Sequence, residues 1–214
     1  MRGKRFYWKK VVIGIDLAGS QKQPTGLCIM KGFCILKTCL LFSDKEIIGN
    51  CIRNNPEIIA IDAPLSLPPG RKSIEDKTGN HLRVCDIELT KRRIKFFPIT
   101  LGPMRMLTER GIRLKERLET LGLKVIEVYP GGALDIWKIP RKQKTIKKLK
   151  NIFVNLDSSR INSELTQHEF DAIVCAIVGM LFIHGKAEVY GNFEEGSIIM
   201  PSSSLRSLRI KMNI

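Results

Sequence analysis

Two apolar runs in this 214-residue chain end in the same way, on an aspartate. Val11-Val12-Ile13-Gly14-Ile15 leads into Asp16, and Ile58-Ile59-Ala60-Ile61 leads into Asp62. β-Branched residues dominate both runs, so each reads as a buried strand. Carboxylates are rarely buried unless they are paired or bound to metal. The fold must therefore carry both strand ends to a place that tolerates charge. Two further acids break apolar elements: Glu127 inside Val125-Ile126-Glu127-Val128-Tyr129, and Asp171 about one turn inside a helix whose continuation is almost wholly apolar.

The order of elements says what surrounds those ends. Thr25 to Met30 and Phe33 to Phe42 read as strands joined at Lys31-Gly32, and the short gaps favour an antiparallel meander after the first strand. Ser43 with Glu46 forms a capping box for a helix running to Arg53. The strand from Glu57 to Asp62 gives way to Ala63-Pro64-Leu65-Ser66-Leu67-Pro68-Pro69-Gly70, which must be loop. Residues 70 to 102 are polar and irregular, with one short helix near Arg83 to Arg92. Pro103 suits the first position of a helix spanning Met104 to Leu121, ended by Gly122. Lys124 to Tyr129 is a strand closed by Pro130-Gly131-Gly132. Short helices follow at Ala133 to Trp137 and Lys144 to Phe153.

A second capping box, Thr166 with Glu169, opens a long helix to His184. A β pair near Val189 and Ile198 to Met200 comes next, and the serine-rich, basic tail after Pro201 reads as frayed. Three antiparallel strands followed by βαβ crossovers predict an α/β fold: a mixed five-stranded sheet with helices on both faces. No repeat or boundary divides the chain, so residues 1 to 214 read as one domain with its core between about 11 and 201.

Strand ends in such a sheet open onto one crevice, where Asp16, Asp62, Glu127 and Asp171 can meet. Converging carboxylates repel and stay ionised only if a cation neutralises them. Hard oxygen ligands suit Mg²⁺ or Mn²⁺. Two such ions can activate a water and stabilise the leaving oxygen in phosphodiester cleavage. Each acid also has a plainer reading. Asp16 can cap a turn with Gly19, Asp62 can cap its following loop, and Glu127 can pair with an arginine. Glu169 is explained by its capping box and is left out of the site.

Other chemistries lack their residues. The chain has no G-x-S-x-G elbow, no H-E-x-x-H and no G-x-x-x-x-G-K-[ST] loop. Of the histidines His81, His168 and His184, only His168, one turn before Asp171, can reach the mouth of the site; a solvent-facing first-turn residue is its simpler reading. The six cysteines include no C-x-x-C pair and mostly lie in apolar runs, so they read as reduced core thiols of a cytoplasmic protein and not as a zinc site. The basic N-terminus leads into a strand and does not read as a signal peptide, and the longest apolar stretch is too short to span a bilayer.

A net charge of +15 points to a polyanionic partner, nucleic acid before membrane. Six of the ten residues from 141 to 150 are basic, among them Lys144, Lys147, Lys148 and Lys150, and Lys91-Arg92-Arg93 with Lys95 adjoins Phe96 and Phe97. Such clusters neutralise phosphates, and neighbouring aromatics stack on bases; a solvated face is the alternative.

Several segments together resemble a family. They are Gly14-Ile15-Asp16-Leu17-Ala18, Ile61-Asp62-Ala63-Pro64-Leu65-Ser66-Leu67-Pro68, Arg83-Val84-Cys85-Asp86-Ile87-Glu88-Leu89, Glu127-Val128-Tyr129-Pro130, His168-Glu169-Phe170-Asp171-Ala172 and Glu195-Gly196-Ser197-Ile198-Ile199-Met200-Pro201. In order and spacing they resemble the predicted nucleases catalogued as domain-of-unknown-function family 429, over about residues 11 to 201. The resemblance implies a ribonuclease H-like fold and a metal-dependent nuclease acting on RNA, DNA or a hybrid. It implies Asp16, Asp62 and Asp171 as metal ligands. Glu127 matches no universal ligand of the wider superfamily, and Arg83 and Asp86 either contact substrate or pair with each other. Two rival functions stay open. One is an ATP-dependent phosphotransferase or ATPase of related core fold, with Asp16-Leu17-Ala18-Gly19-Ser20 as its phosphate loop. The other is a nucleic-acid-binding module without catalysis.

Overall fold

Alternation along the first strand, β1 (Val11–Asp16), sorts its side chains between two cores. The computed structural model describes residues 10–142, 145–161 and 164–206. In it β1 is the middle of a five-stranded sheet ordered β3-β2-β1-β4-β5. β2 (Thr25–Lys31) and β3 (Cys34–Leu41) form the antiparallel meander, and β4 (Ile58–Asp62) and β5 (Val125–Glu127) extend the sheet in parallel. The mixed sheet expected from the sequence is therefore present.

Ile13, Ile15, Ile59 and Ile61 face one core, which takes in Ile47 and Cys51 of α1 (Asp44–Asn54) and Leu114 and Leu118 of α3 (Gly102–Thr120). Val12, Cys28, Ala60 and Ile126 face the other, beneath α6 (Gln167–Ile183). On that side also lie α2 (Val84–Lys91), α4 (Pro130–Ile136), α5 (Ile146–Ile152) and the hairpin of β6 (Ala187–Asn192) and β7 (Gly196–Pro201). Helices thus cover both faces. α6 is buried at every position from Ala172 to Leu181, because it lies between the sheet and these outer elements. Both capping boxes, Ser43 with Glu46 and Thr166 with Glu169, are formed.

The seat of α6 is cut by glycine. A Cβ on Gly14 of β1 would lie 2.0 Å from the Ala172 carbonyl oxygen, and one on Gly26 of β2 would lie 2.1 Å from that of His168. Main chain therefore rests on side-chain-free main chain at both points. At the far end Gly179 of α6 meets side chains instead, where a Cβ would lie 2.9 Å from Val12 Cγ1 and 3.2 Å from Ala60 Cβ. α6 consequently runs antiparallel to β1, with its first turn over the carboxyl end of that strand.

Some boundaries differ from expectation. β5 stops at Glu127, and Val128 goes on to bridge Ile199 of β7. α4 begins at Pro130 and not at Ala133, since a proline needs no N–H partner in a first turn. α3 begins at Gly102, which leaves Pro103 in its second position. Ser203–Arg206 form a 3₁₀ turn where fraying was expected, because Glu188 Oε1 accepts bonds from the Ser202 hydroxyl and from the amide and hydroxyl of Ser203. Residues 207–214 of the expected tail lie outside the described residues.

Candidate active site at the carboxyl ends of the strands

Asp16 and Asp62 are register partners on adjacent parallel strands. Such partners point to one face, across an interstrand spacing of about 4.8 Å. That face is the one under α6, since Val12 and Ala60 precede them at even spacing. Both residues are partly exposed, as expected where strands end at the surface.

Asp171 joins them from above. His168, three residues earlier, has Nδ1 at 2.7 Å from Asp16 Oδ2. Cys175, four residues later, donates its thiol to the Ile15 carbonyl at 3.5 Å. Residues three and four apart share a helix face, so Asp171 lies between two contacts to the end of β1. The Cys175 thiol registers all three acids: burial first, then the charges of Asp62, Asp16 and Asp171, push it well above the ordinary thiol range. His168 is the residue that sequence reasoning set aside. Its spacing from Asp171 was the available signal, but its partner lies 152 residues away.

Glu127 goes elsewhere. It pairs in register with Ile61, one residue short of Asp62, so its side chain leaves the strand with the opposite parity, although both residues border one hollow at the strand ends. There it is 7% exposed. Its Oε2 accepts from Arg83 Nη1 at 2.7 Å and from the Leu65 amide at 2.7 Å, and its Oε1 accepts from Arg83 Nη2 at 2.8 Å. Asp86 takes the rest of the guanidinium, with Oδ2 on Nε at 3.1 Å and Oδ1 on Nη2 at 2.9 Å. Ser66 Oγ accepts from Nη1 at 3.4 Å. All five N–H groups of Arg83 thus have acceptors, and the residue is 2% exposed.

Burial lifts the Glu127 carboxyl, opposed by Arg83 and the Leu65 N–H. Burial acts against charge on Arg83 too, but the carboxylates outweigh it and hold the guanidinium well above its usual value. Three donors on one carboxylate make this an ionic pair. Arg83 and Asp86, expected as possible substrate contacts, pair with each other, and Glu127, expected beside the metal, completes their network. Through Leu65 the network holds the loop that follows Asp62.

The loop after β1 is likewise closed on itself. The Ala18 amide donates to Thr25 Oγ1 at 3.1 Å, and its carbonyl accepts from buried Arg110 at 2.7 Å. A phosphate loop would turn that N–H toward its ligand.

Of the basic run expected to bind substrate, Lys147 is exposed and Lys148 partly so, both on α5; Lys144 lies outside the described residues. The other basic segment runs into two aromatic residues that reach the site. Lys91, Arg92, Arg93 and Lys95 are exposed, and Phe96 and Phe97 share a cavity of about 190 Å³ with Asp62.

The donor set offered by Asp16, Asp62 and Asp171 is hard oxygen, which fits Mg²⁺ or Mn²⁺. As the side chains stand, no group of three or more His, Cys, Asp or Glu among the described residues is set to hold a metal ion. All six cysteines are free thiols. No described helix is long and apolar enough to cross a membrane.

The chain matches no protein-family model and no curated protein sequence, so the family resemblance stays a resemblance of motifs. Solved structures similar to it include RuvC of Thermus thermophilus in complex with a Holliday junction substrate, at 12% identity and a TM-score of 0.51, covering 82% of this chain and 96% of that one. A further structure of the same protein is 14% identical, with a TM-score of 0.43 and the same coverage. The first likeness concerns the fold alone; RuvC is ribonuclease H-like.

Proposed function

We propose that this chain is a single ribonuclease H-like domain acting as a cytoplasmic, metal-dependent nuclease. The observation that carries this reading is the matched register of Asp16 and Asp62 beneath the turn of α6 that bears Asp171. These three carboxylates would hold Mg²⁺ or Mn²⁺. A divalent ion there supplies an activated water and charge stabilisation for the leaving oxygen. His168 orients the Asp16 carboxylate through its 2.7 Å contact. The Arg83 network acts as a positioning group, fixing through Leu65 the loop that leaves Asp62. Lys91, Arg92, Arg93 and Lys95 neutralise phosphates beside the acids, and the run holding Lys144, Lys147 and Lys148 does so further along the strand. The inward-turned Ala18 amide weighs against the phosphotransferase reading.

Incubation with labelled single strands, duplexes, RNA–DNA hybrids and a four-way junction, in Mg²⁺, Mn²⁺ or EDTA, tests the proposal. The junction belongs in the panel because a structural neighbour was solved with one. Cleavage is expected with either ion and none in EDTA. Robust cleavage by pure protein in EDTA overturns the mechanism.

A further inference from the structure

The cavity beside Asp62 is built for an aromatic ring. Phe96, Phe97, Met104, Leu107 and Tyr129 line it, with Asp62 and the mutually paired Arg83 network in its wall. Its volume of about 190 Å³ exceeds the ~150 Å³ of an apolar cavity that takes up one benzene molecule. Phe97 is 70% exposed although large and apolar, so its ring is presented and not packed away.

The wall is fixed. The Tyr129 hydroxyl donates to the Lys95 carbonyl at 2.6 Å, and Arg141 donates to that carbonyl at 2.9 Å and to the Tyr129 hydroxyl at 2.9 Å. Asp135 holds Arg141 in turn through both carboxylate oxygens. Backbone, phenol and guanidinium thus lock the segment bearing Phe96 and Phe97 against β5 and α4. The segment just before Phe96 and Phe97 carries the exposed cations Lys91, Arg93 and Lys95, while Arg92 pairs with Glu188 and stacks on Tyr190. A mainly apolar, ring-sized hollow next to a basic segment matches a nucleotide: base inside, phosphate outside.

The geometry points to a nucleobase pocket that takes one unstacked base next to the phosphate held at Asp62. This rests on the nucleic-acid-binding half of the function proposed above and sharpens its substrate class. A base within a continuous stack cannot enter a side cavity without being extruded, and extrusion costs least where the base is unpaired. The preferred substrate is therefore a strand with an unpaired nucleotide, as in a bulge, a single strand or a junction. Fully paired duplex binds only through its phosphates.

The test separates base from backbone and needs no cleavage. Fluorescence anisotropy, in EDTA and in Mg²⁺, compares three probes: a duplex, the same duplex with one bulged nucleotide, and that bulge made abasic. The bulged base is expected to bind about tenfold more tightly than the abasic bulge, in line with the loss of one base–aromatic stack. Phe97→Ala should close that gap and leave duplex affinity unchanged, whereas Phe97→Trp should keep it. The exposure of Phe97 makes these variants safe for folding, which circular dichroism checks. A gap that is absent, or equal in wild type and Phe97→Ala, overturns the pocket even if the protein cleaves. A gap that persists in a protein that cleaves nothing supports the pocket and overturns the nuclease step alone. Failure to bind any probe overturns both.

Discussion

The two acid clusters of this molecule meet at one hollow beside the strand ends and have opposite fates. Asp16, Asp62 and Asp171 are partly exposed at the mouth of a crevice. Glu127 and Asp86 are sealed around Arg83. In the chain each looks alike, a carboxylate spoiling an apolar element. One residue of register separates them: Asp62 pairs with Asp16, while Glu127 pairs with Ile61. An acid in a strand is therefore not yet a ligand, because its parity and the partners it meets decide whether it stays open or is sealed.

The largest effect that tests this contrast is on stability. Arg83→Met strands two buried carboxylates and should cost about 3–5 kcal/mol in denaturant unfolding. Replacing the network as a whole, with Arg83→Met, Asp86→Leu and Glu127→Leu together, should recover most of that loss, since no buried charge is then uncompensated. A single Arg83→Met variant as stable as wild type would mean the two clusters do not differ in kind.

Next comes the reverse experiment at the open cluster. Asp62→Asn should lower cleavage by more than the roughly 100-fold that loss of a supporting group at a metal site costs. Its melting temperature should hold or rise, because one repelling charge is gone. A marked fall in melting temperature with activity retained would assign Asp62 the structural role now given to Glu127.

The smallest effect lies away from both clusters. Alanine at Lys147, Lys148 and Lys150 should flatten the salt dependence of duplex DNA binding by up to about 0.9 in log–log slope per lost phosphate contact. Cleavage at saturating substrate should not change. An unaltered slope would make α5 a solvated face and leave the cations near Phe97 as the main phosphate contacts.

Sequence alone exposed one cluster better than the other for a physical reason. Asp16 and Asp62 end their strands, so any parallel pairing brings them to one edge. Glu127 is flanked by Val125, Ile126 and Val128 on a strand covered on both faces, so no polar alternation marks its side. Its direction depends on pairing with a strand more than sixty residues earlier, as does its bond to the Leu65 amide, at a separation of 62 residues. Arg83 gave no sign of burial, because a lone arginine in a polar stretch ordinarily belongs to the surface. Caps, by contrast, are local, and both capping boxes were readable from three-residue spacings. α4 was read three residues short because Gly131 and Gly132 suggest a turn. In the structure those glycines make room for the Tyr129 ring, which a Cβ on Gly132 would approach to 2.8 Å.

The seat of α6 on Gly14 and Gly26 has a consequence for how such a chain tolerates change. Where peptide meets peptide, the height of the helix above the sheet is a matter of bond lengths and atomic radii, with no rotamer to adjust. Two hydrogen atoms in place of two methyl groups act as a gauge block for the distance between Asp171 and the strand ends. The charged coat can drift widely without moving that distance. A methyl group at either glycine resets it at once, even though neither glycine takes part in the chemistry.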